Sequence, residues 1–242
     1  MSIFHKKIKV PKEIYYSSIK HIAFIMDGND KWAKKHNLSM LSTYQESYKK
    51  IKEVVFLCQK YHISYMSLLV LSIDDVNRFK DDANYQLSLL KKFLKDDLYE
   101  LNARGIKIVT SGDLSKISLD VKEVIDEAIL KTKHNEELVL NLCINYSGKD
   151  EVIRGIKRLS QDIKDNKVNP SSIEENTLLK YMDTGLLPSI DCLVRSTSDM
   201  SLSNYMLWSL VNAKIIFVDK YWLDFNEETF IDVLDKYATS KK

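Results

Sequence analysis

Glycine and proline are scarce in this 242-residue chain, six and three respectively. Low-complexity and linker-like tracts need them in quantity, so none is expected, and no internal repeat is visible. Cysteine is scarcer still in function than in number. Cys58, Cys143 and Cys192 lie far apart without metal-ligand spacing, which argues against a disulfide framework or a zinc site and for reduced core thiols in a cytoplasmic protein. Charge of one sign is not in excess: 36 basic against 34 acidic residues leave a formal +2. That balance gives no support to a nucleic-acid-binding face, though a local anion site remains open. Long apolar runs are absent as well. No stretch reaches the roughly 18 residues that a bilayer span needs, and the basic segment Met1 to Lys12 lacks the apolar core of a signal peptide. Any membrane contact is expected to be peripheral.

What is present is an ordinary globular balance, 45% apolar and 29% charged. Short continuous apolar runs predict buried strands at 22–26, 65–71, 106–110, 138–144, 192–194 and 215–218, the pattern of a parallel sheet covered on both faces. Between them, apolar residues recur three or four apart. Tyr48, Ile51, Val55 and Cys58 form one such stripe, and Leu87, Leu90, Leu94, Leu98 and Leu101 another. Val121, Val124, Ile125, Ala128 and Ile129 form a third, and Val152, Ile153, Ile156 and Leu159 a fourth. Alternating strands and helices predict one α/β domain over 20–239, preceded by an N-terminal extension over 1–19. The segment 166–172 is the best loop candidate.

Gly28, Gly112 and Gly148 each follow a predicted strand, at the carboxyl-end turns where doubly wound sheets bind ligands. The first of these turns, Met26-Asp-Gly-Asn-Asp-Lys-Trp32, leads from a strand into a helix. Amides at such a turn can cradle a phosphate, and a carboxylate at the strand end can hold a metal that bridges it. The same residues would also serve as an ordinary turn with a polar cap.

Five segments in order carry a resemblance. His21-Ile-Ala-Phe-Ile-Met-Asp-Gly-Asn29, followed by Trp32-Ala-Lys-Lys35, is similar to the opening motif of the cis-prenyltransferases, the undecaprenyl diphosphate synthase family. Ser72-Ile-Asp-Asp-Val-Asn-Arg78 resembles its Ser-x-Glu-Asn-Trp-x-Arg stretch, and Leu140-Asn-Leu-Cys-Ile-Asn-Tyr-Ser-Gly148 its Leu-Asn-x-x-x-Asn-Tyr-Gly-Gly stretch. The segment from Asp191 to Asn204 resembles Asp-Leu-x-Ile-Arg-Thr-x-Gly-Glu-x-Arg-x-Ser-Asn, and Trp222-Leu-Asp-Phe225 resembles Trp-Pro-Asp-Phe. The resemblance implies a single-domain fold with a central, mostly parallel sheet, flanking helices, a hydrophobic tunnel lined in part by Leu87–Leu101, and a homodimer. It implies Mg2+ as cofactor and an allylic isoprenyl diphosphate as partner. By position in the motifs, Asp27 is implied as the magnesium-handling residue, with Asn29 and Ser72 beside it in the chemistry. Gly28, Lys31, Trp32, Arg78, Arg195, Ser203, Asn204 and Lys214 are implied to bind substrate.

The chain departs from the pattern at several positions. Asp30 stands where the family has a loop glycine, Met40 in place of a second phosphate-binding arginine, and Tyr44 in place of a histidine. Asp74, Asp75 and Val76 replace Glu, Asn and Trp. Ser201 replaces an arginine for isopentenyl diphosphate, and Lys214 replaces a magnesium-binding glutamate. No Arg-x-Gly segment closes the chain. Losing two arginine grips costs about 3–6 kcal/mol, or about 10²–10⁴ in affinity. The expected activity is transfer of a prenyl cation to an alkene acceptor, by cis or irregular condensation. A terpene synthase that quenches the cation without isopentenyl diphosphate and a non-catalytic partner subunit are the alternatives.

Overall fold

The computed structural model describes residues 19–196 and 201–239. All six predicted strands form: β1 (His21–Ile25), β2 (Tyr65–Ser72), β3 (Ile106–Ser111), β4 (Leu138–Tyr146), β5 (Cys192–Ser196) and β6 (Lys214–Val218). They make one sheet in the order β3-β4-β2-β1-β5-β6, with every neighbouring pair parallel. From β1 the chain fills one side first: β2 beside β1, then β3 at the edge, then β4 between β2 and β3. It then returns to the other side of β1 for β5 and β6. This reversal sets β1 and β5 side by side at a topological switch point, where open parallel sheets bind ligands beyond their carboxyl ends.

Eight helices surround the sheet among the described residues: α1 (Asn29–His36), α2 (Met40–Lys60), α3 (Ile73–Arg78), α4 (Lys80–Ala103), α5 (Leu119–Thr132), α6 (Gly148–Lys164), α7 (Glu175–Leu179) and α8 (Glu227–Thr239). The four predicted stripes fall within α2, α4, α5 and α6. The loop candidate falls at the end of α6 and a short 3₁₀ turn, Pro170–Ser172. No helix of the described residues is long and apolar enough to cross a membrane.

Alternation along β1 explains how the two faces are filled. Ile22 and Phe24 enter the larger core with the buried faces of α2, α4, α5 and α8, whereas Ala23 and Ile25 enter a smaller one with Tyr146, Tyr205 and Met206. All three cysteines are free and buried. Burial pushes the Cys192 thiol up to about 12, which keeps it a protonated, unreactive packing group.

The smaller core contains a polar chain. The His21 ring makes hydrogen bonds with the Pro188 carbonyl through Nδ1 (2.7 Å) and with Ser67 Oγ through Nε2 (2.8 Å). Asn141 Nδ2 donates to Ser67 Oγ at 3.0 Å, and Ser111 Oγ donates to Asn141 Oδ1 at 3.0 Å. Burial lowers the His21 pKa below 6.5, against the smaller raising effects of the Pro188 bond and Asp191. The unfolded chain therefore takes up this proton at a higher pH than the folded one. Stability is full above about pH 6.5 and falls as the pH drops through the window between the two values. Thermal melts between about pH 8 and pH 5.5 should show this loss, and His21→Asn should flatten it. Parallel pH profiles for the two proteins would rule out His21 as its source.

Candidate active site

The site grows from the end of β1. Gly28 follows Asp27 in the left-handed region, at φ 88° and ψ 12°, where a side chain would be strained. This lets the backbone turn straight into α1, whose first turn closes with Trp32 N–H donating to the Gly28 carbonyl at 2.9 Å. Gly28 is the N-cap and brings no side chain to the first amides, so they face outward as donors at the positive end of the helix. Ser196, at the end of β5, ties the two strand ends together. Its hydroxyl accepts from the Asp27 amide at 3.0 Å and lies 3.1 Å from the Asp27 carbonyl.

Asp27 forms an ion pair with Arg195 at 2.6 Å. The guanidinium is nearly enclosed, at 2% exposure, while the carboxylate is 34% exposed and looks into a cavity. Arg195 also donates to Ser201 Oγ at 2.9 Å. The residue that stands where an arginine was expected is thus a partner for Arg195 rather than a second cation beside it. Ser203 Oγ lies 3.4 Å from Ser201 Oγ, in a loop where Ser203, Asn204 and Met206 all have positive φ.

The cavity holds about 500 Å³, an ordinary size for a small-molecule site. Its mouth is formed by Asp27, Gly28, Asn29, Asp30, Ser72, Asp75 and Asp82. Its lining also includes Ile25, Val70 and Tyr48, which are buried, and the half-buried Leu69. Asn29 Oδ1 is buried at this cavity without a hydrogen-bond partner among the described residues. The mouth is acidic. Tyr44 feels this: its phenol is pushed up to about 12, first by burial and then by Asp82, Asp75 and Asp30. Two unit charges 4 Å apart repel by about 1 kcal/mol in water and by about 4 kcal/mol in a partly desolvated setting. A diphosphate at this mouth therefore needs a cation beside it.

The sequence-predicted residues divide into two groups. Asp27, Gly28 and Asn29 meet at the mouth, and Ser72 reaches its rim while its hydroxyl donates to Asp75 at 2.5 Å and caps α3. Arg195 and Ser203 lie on the β5 side of Asp27. Trp32 turns away, stacking on His36 and donating from Nε1 to Asp224 at 2.9 Å. Lys31 and Arg78 are exposed and do not line the cavity. Asn204 is engaged elsewhere. Its side chain donates to Ser147 Oγ (2.5 Å) and accepts from the Lys149 amide (3.1 Å), clamping the start of α6. Lys214 is not brought to the site. It begins β6 opposite Cys192, four residues before the end of β5, and so lies about 13 Å back along the strand. There it donates to the Tyr237 carbonyl at 3.2 Å and sits over the Tyr237 ring.

Other lining residues were missed as site residues. Met40, Tyr44 and Tyr48 come from α2, and Phe79, Asp82 and Gln86 from the start of α4 and the residue before it. Of the segment Leu87–Leu101 implied to line a tunnel, Leu87, Leu90, Leu94 and Leu101 lie in the larger core, and Leu89 and Phe93 line a second cavity together with residues of α2. Tyr48 carried a signal in its helical stripe, but that signal equally describes a core residue.

The family model for undecaprenyl diphosphate synthase matches residues 25–242. The chain belongs to this prenyltransferase family. An isoprenyl transferase of Clostridium perfringens is 36% identical over 209 residues, covering 86% of this chain and 83% of its own. A ditrans,polycis-undecaprenyl-diphosphate synthase of Micrococcus luteus is 31% identical, covering 90% and 88%. Among solved structures, lavandulyl diphosphate synthase from Lavandula x intermedia, in complex with dimethylallyl diphosphate, superposes with a TM-score of 0.88 at 25% identity, over 91% of this chain and 95% of that one. The chain is thus a cis-prenyltransferase-family enzyme with the family's parallel-sheet fold. Of its departures from the family's motifs, Asp30, Met40, Tyr44 and Asp75 line this cavity and Ser201 lies beside Arg195, whereas Lys214 lies away from both.

Proposed function

We propose that this prenyltransferase ionises an allylic isoprenyl diphosphate and passes the prenyl cation to an alkene acceptor that itself carries a diphosphate. One observation carries the reading: Asp27, the uncapped first turn of α1 and the unpartnered Asn29 Oδ1 converge on one cavity whose lining also includes Ile25, Leu69 and Val70. The amides of α1 bind the donor diphosphate, and the cavity takes the prenyl tail out of water. The allylic C–O bond breaks and its electron pair leaves with the diphosphate. The acceptor's π pair forms the new C–C bond, and a proton leaves the adjacent carbon. Arg195 and Ser203 orient the acceptor diphosphate next to Asp27.

The donor set suits Mg2+. Among the described residues no group of three His, Cys, Asp or Glu side chains forms a closed metal cage. Mg2+ commonly takes one or two protein oxygens and completes its shell with substrate phosphate and water. Asp27 and Asn29 Oδ1 are the oxygens that would hold it. When bound, the ion neutralises charge on the leaving diphosphate.

The likeness to lavandulyl diphosphate synthase favours a second reading of the acceptor, in which another allylic diphosphate takes the place of isopentenyl diphosphate. Incubation of the purified chain with Mg2+ and dimethylallyl diphosphate, with and without isopentenyl diphosphate, separates the two. A longer diphosphate formed only with isopentenyl diphosphate supports cis condensation, and a ten-carbon diphosphate formed without it supports irregular condensation. Hydrocarbon or alcohol with free pyrophosphate would mean a terpene synthase and would overturn transfer. So would the absence of any turnover.

A further inference from the structure

The loop that carries Ser201 and Ser203 holds a backbone conformation that needs support. Ser203, Asn204 and Met206 stand at φ 47°, 54° and 40°, three left-handed residues out of four with no glycine among them. That region is uncommon for residues with a side chain and persists where the surroundings fix it. Two anchors fix it here. The first is the start of α6. The Gly148 amide donates to the Asn204 carbonyl at 2.7 Å, and a Cβ on Gly148 would come within 2.9 Å of Leu207 Cγ and 3.1 Å of that carbonyl. The second is Tyr205, which is sunk completely in the smaller core, at 0% exposure. Its ring meets that of Tyr146 edge-on at 5.9 Å, and its hydroxyl accepts from Cys143 Sγ of β4 at 3.8 Å. Burial keeps this phenol protonated, well above its usual range. Tyr205 does not line the cavity, yet only Asn204 separates it from Ser203.

We propose that Tyr205 is a positioning residue for the acceptor: its buried ring and hydroxyl hold the loop so that Ser201 and Ser203 present their hydroxyls beside Arg195. This rests on the acceptor role given above to Arg195 and Ser203. Arg195 is placed by β5 and by Asp27, and needs no loop to locate it. The serines have no such strand. Ser201 Oγ accepts from Arg195 at 2.9 Å and lies 3.4 Å from Ser203 Oγ, so the guanidinium and both hydroxyls form one row only while the loop keeps its shape. A loop that had to order when the acceptor arrived would lose affinity to that ordering. With Tyr205 seated in the core, the ordering is complete in the folded protein before any ligand binds.

The test is calorimetric titration of isopentenyl diphosphate alone, with Mg2+ present, since this ligand has no allylic C–O bond to break. Tyr205→Phe keeps the ring and its packing and removes only the hydroxyl. It should weaken binding by about three- to tenfold, the worth of one hydrogen bond, while the chain still melts in one cooperative transition. Tyr205→Leu removes the ring as well and should weaken binding further. If the leucine variant does not fold, the phenylalanine variant carries the test. Positioning is separated from mere stability by repeating Tyr205→Phe in a Ser203→Ala background. There it should change the affinity by less than about twofold, because the hydroxyl it places is gone. An unchanged affinity in folded Tyr205→Phe overturns the proposal and removes Tyr205 alone, and so does an equal loss with and without Ser203. If the wild-type chain does not bind isopentenyl diphosphate, or if Ser203→Ala binds it as tightly as wild type, the acceptor reading falls and this one with it.

Discussion

Asp27→Asn is expected to lower turnover of an allylic diphosphate by about 10²–10³-fold or more while the protein stays folded, the loss typical of removing one preorganised electrostatic contact at a developing charge. The choice of asparagine matters. Asp27 is also the counter-ion of an enclosed guanidinium. Removing one partner of a buried pair strands the other, at a cost of about 3–5 kcal/mol. Water reaches the carboxylate, which is 34% exposed, so the lower part of that range applies. Asp27→Ala therefore mixes a chemical defect with a structural one. Asparagine keeps an oxygen that can accept from Arg195, yet carries no charge for a magnesium ion. The check is kcat alongside the melting temperature for both variants. Wild-type turnover in Asp27→Asn would remove the carboxylate from the mechanism.

Arg195→Lys should raise the KM for the acceptor diphosphate by about ten- to a hundredfold, corresponding to loss of one charge-assisted hydrogen bond of about 1.5–3 kcal/mol. Lysine retains the charge that balances Asp27 but loses the planar fork that lets Arg195 meet Asp27 and Ser201 together. Binding of the allylic donor, which depends on the α1 amides, should be unchanged. Initial-rate kinetics with each substrate varied in turn reads the split. An equal rise in both KM values would place Arg195 on the donor side, and no rise in either would take it out of substrate binding.

The sheet was legible because a strand buried on both faces must be apolar at nearly every position, and His21–Ile25 and Leu138–Tyr146 are close to that limit. Helix α8 goes unanticipated although Phe230, Val233, Leu234 and Tyr237 repeat at helical spacing. The site was legible where backbone placement decides it. Gly28 dictates the turn, and the turn carries Asp27 and Asn29 with it. It was not legible where a side chain chooses between partners. The motif locates Lys214 and Asn204 along the chain but says nothing of the Tyr237 carbonyl or of Ser147, which those side chains contact instead. Nor does spacing reveal that the charges of Asp30, Asp75 and Asp82 surround one phenol, since they come from three helices. Tyr48 illustrates the deeper limit. A stripe of apolar residues states that a face is covered, and the same stripe is written whether the covering is solid or contains a chamber.

The Ser196 hydroxyl, bridging the ends of β1 and β5, has a consequence for how such an enzyme can diversify. The ends of two central strands are joined through that oxygen, whereas α2 and α4, which bring Tyr44, Tyr48, Asp82 and Gln86 to the cavity, are bridged by the hydrogen bond from Tyr48 to the Gln86 carbonyl. The strand ends and the helical wall of the cavity are thereby held by separate contacts. Residues on α2 and α4 can therefore change the shape of the cavity's helical side while the strand ends stay tied together.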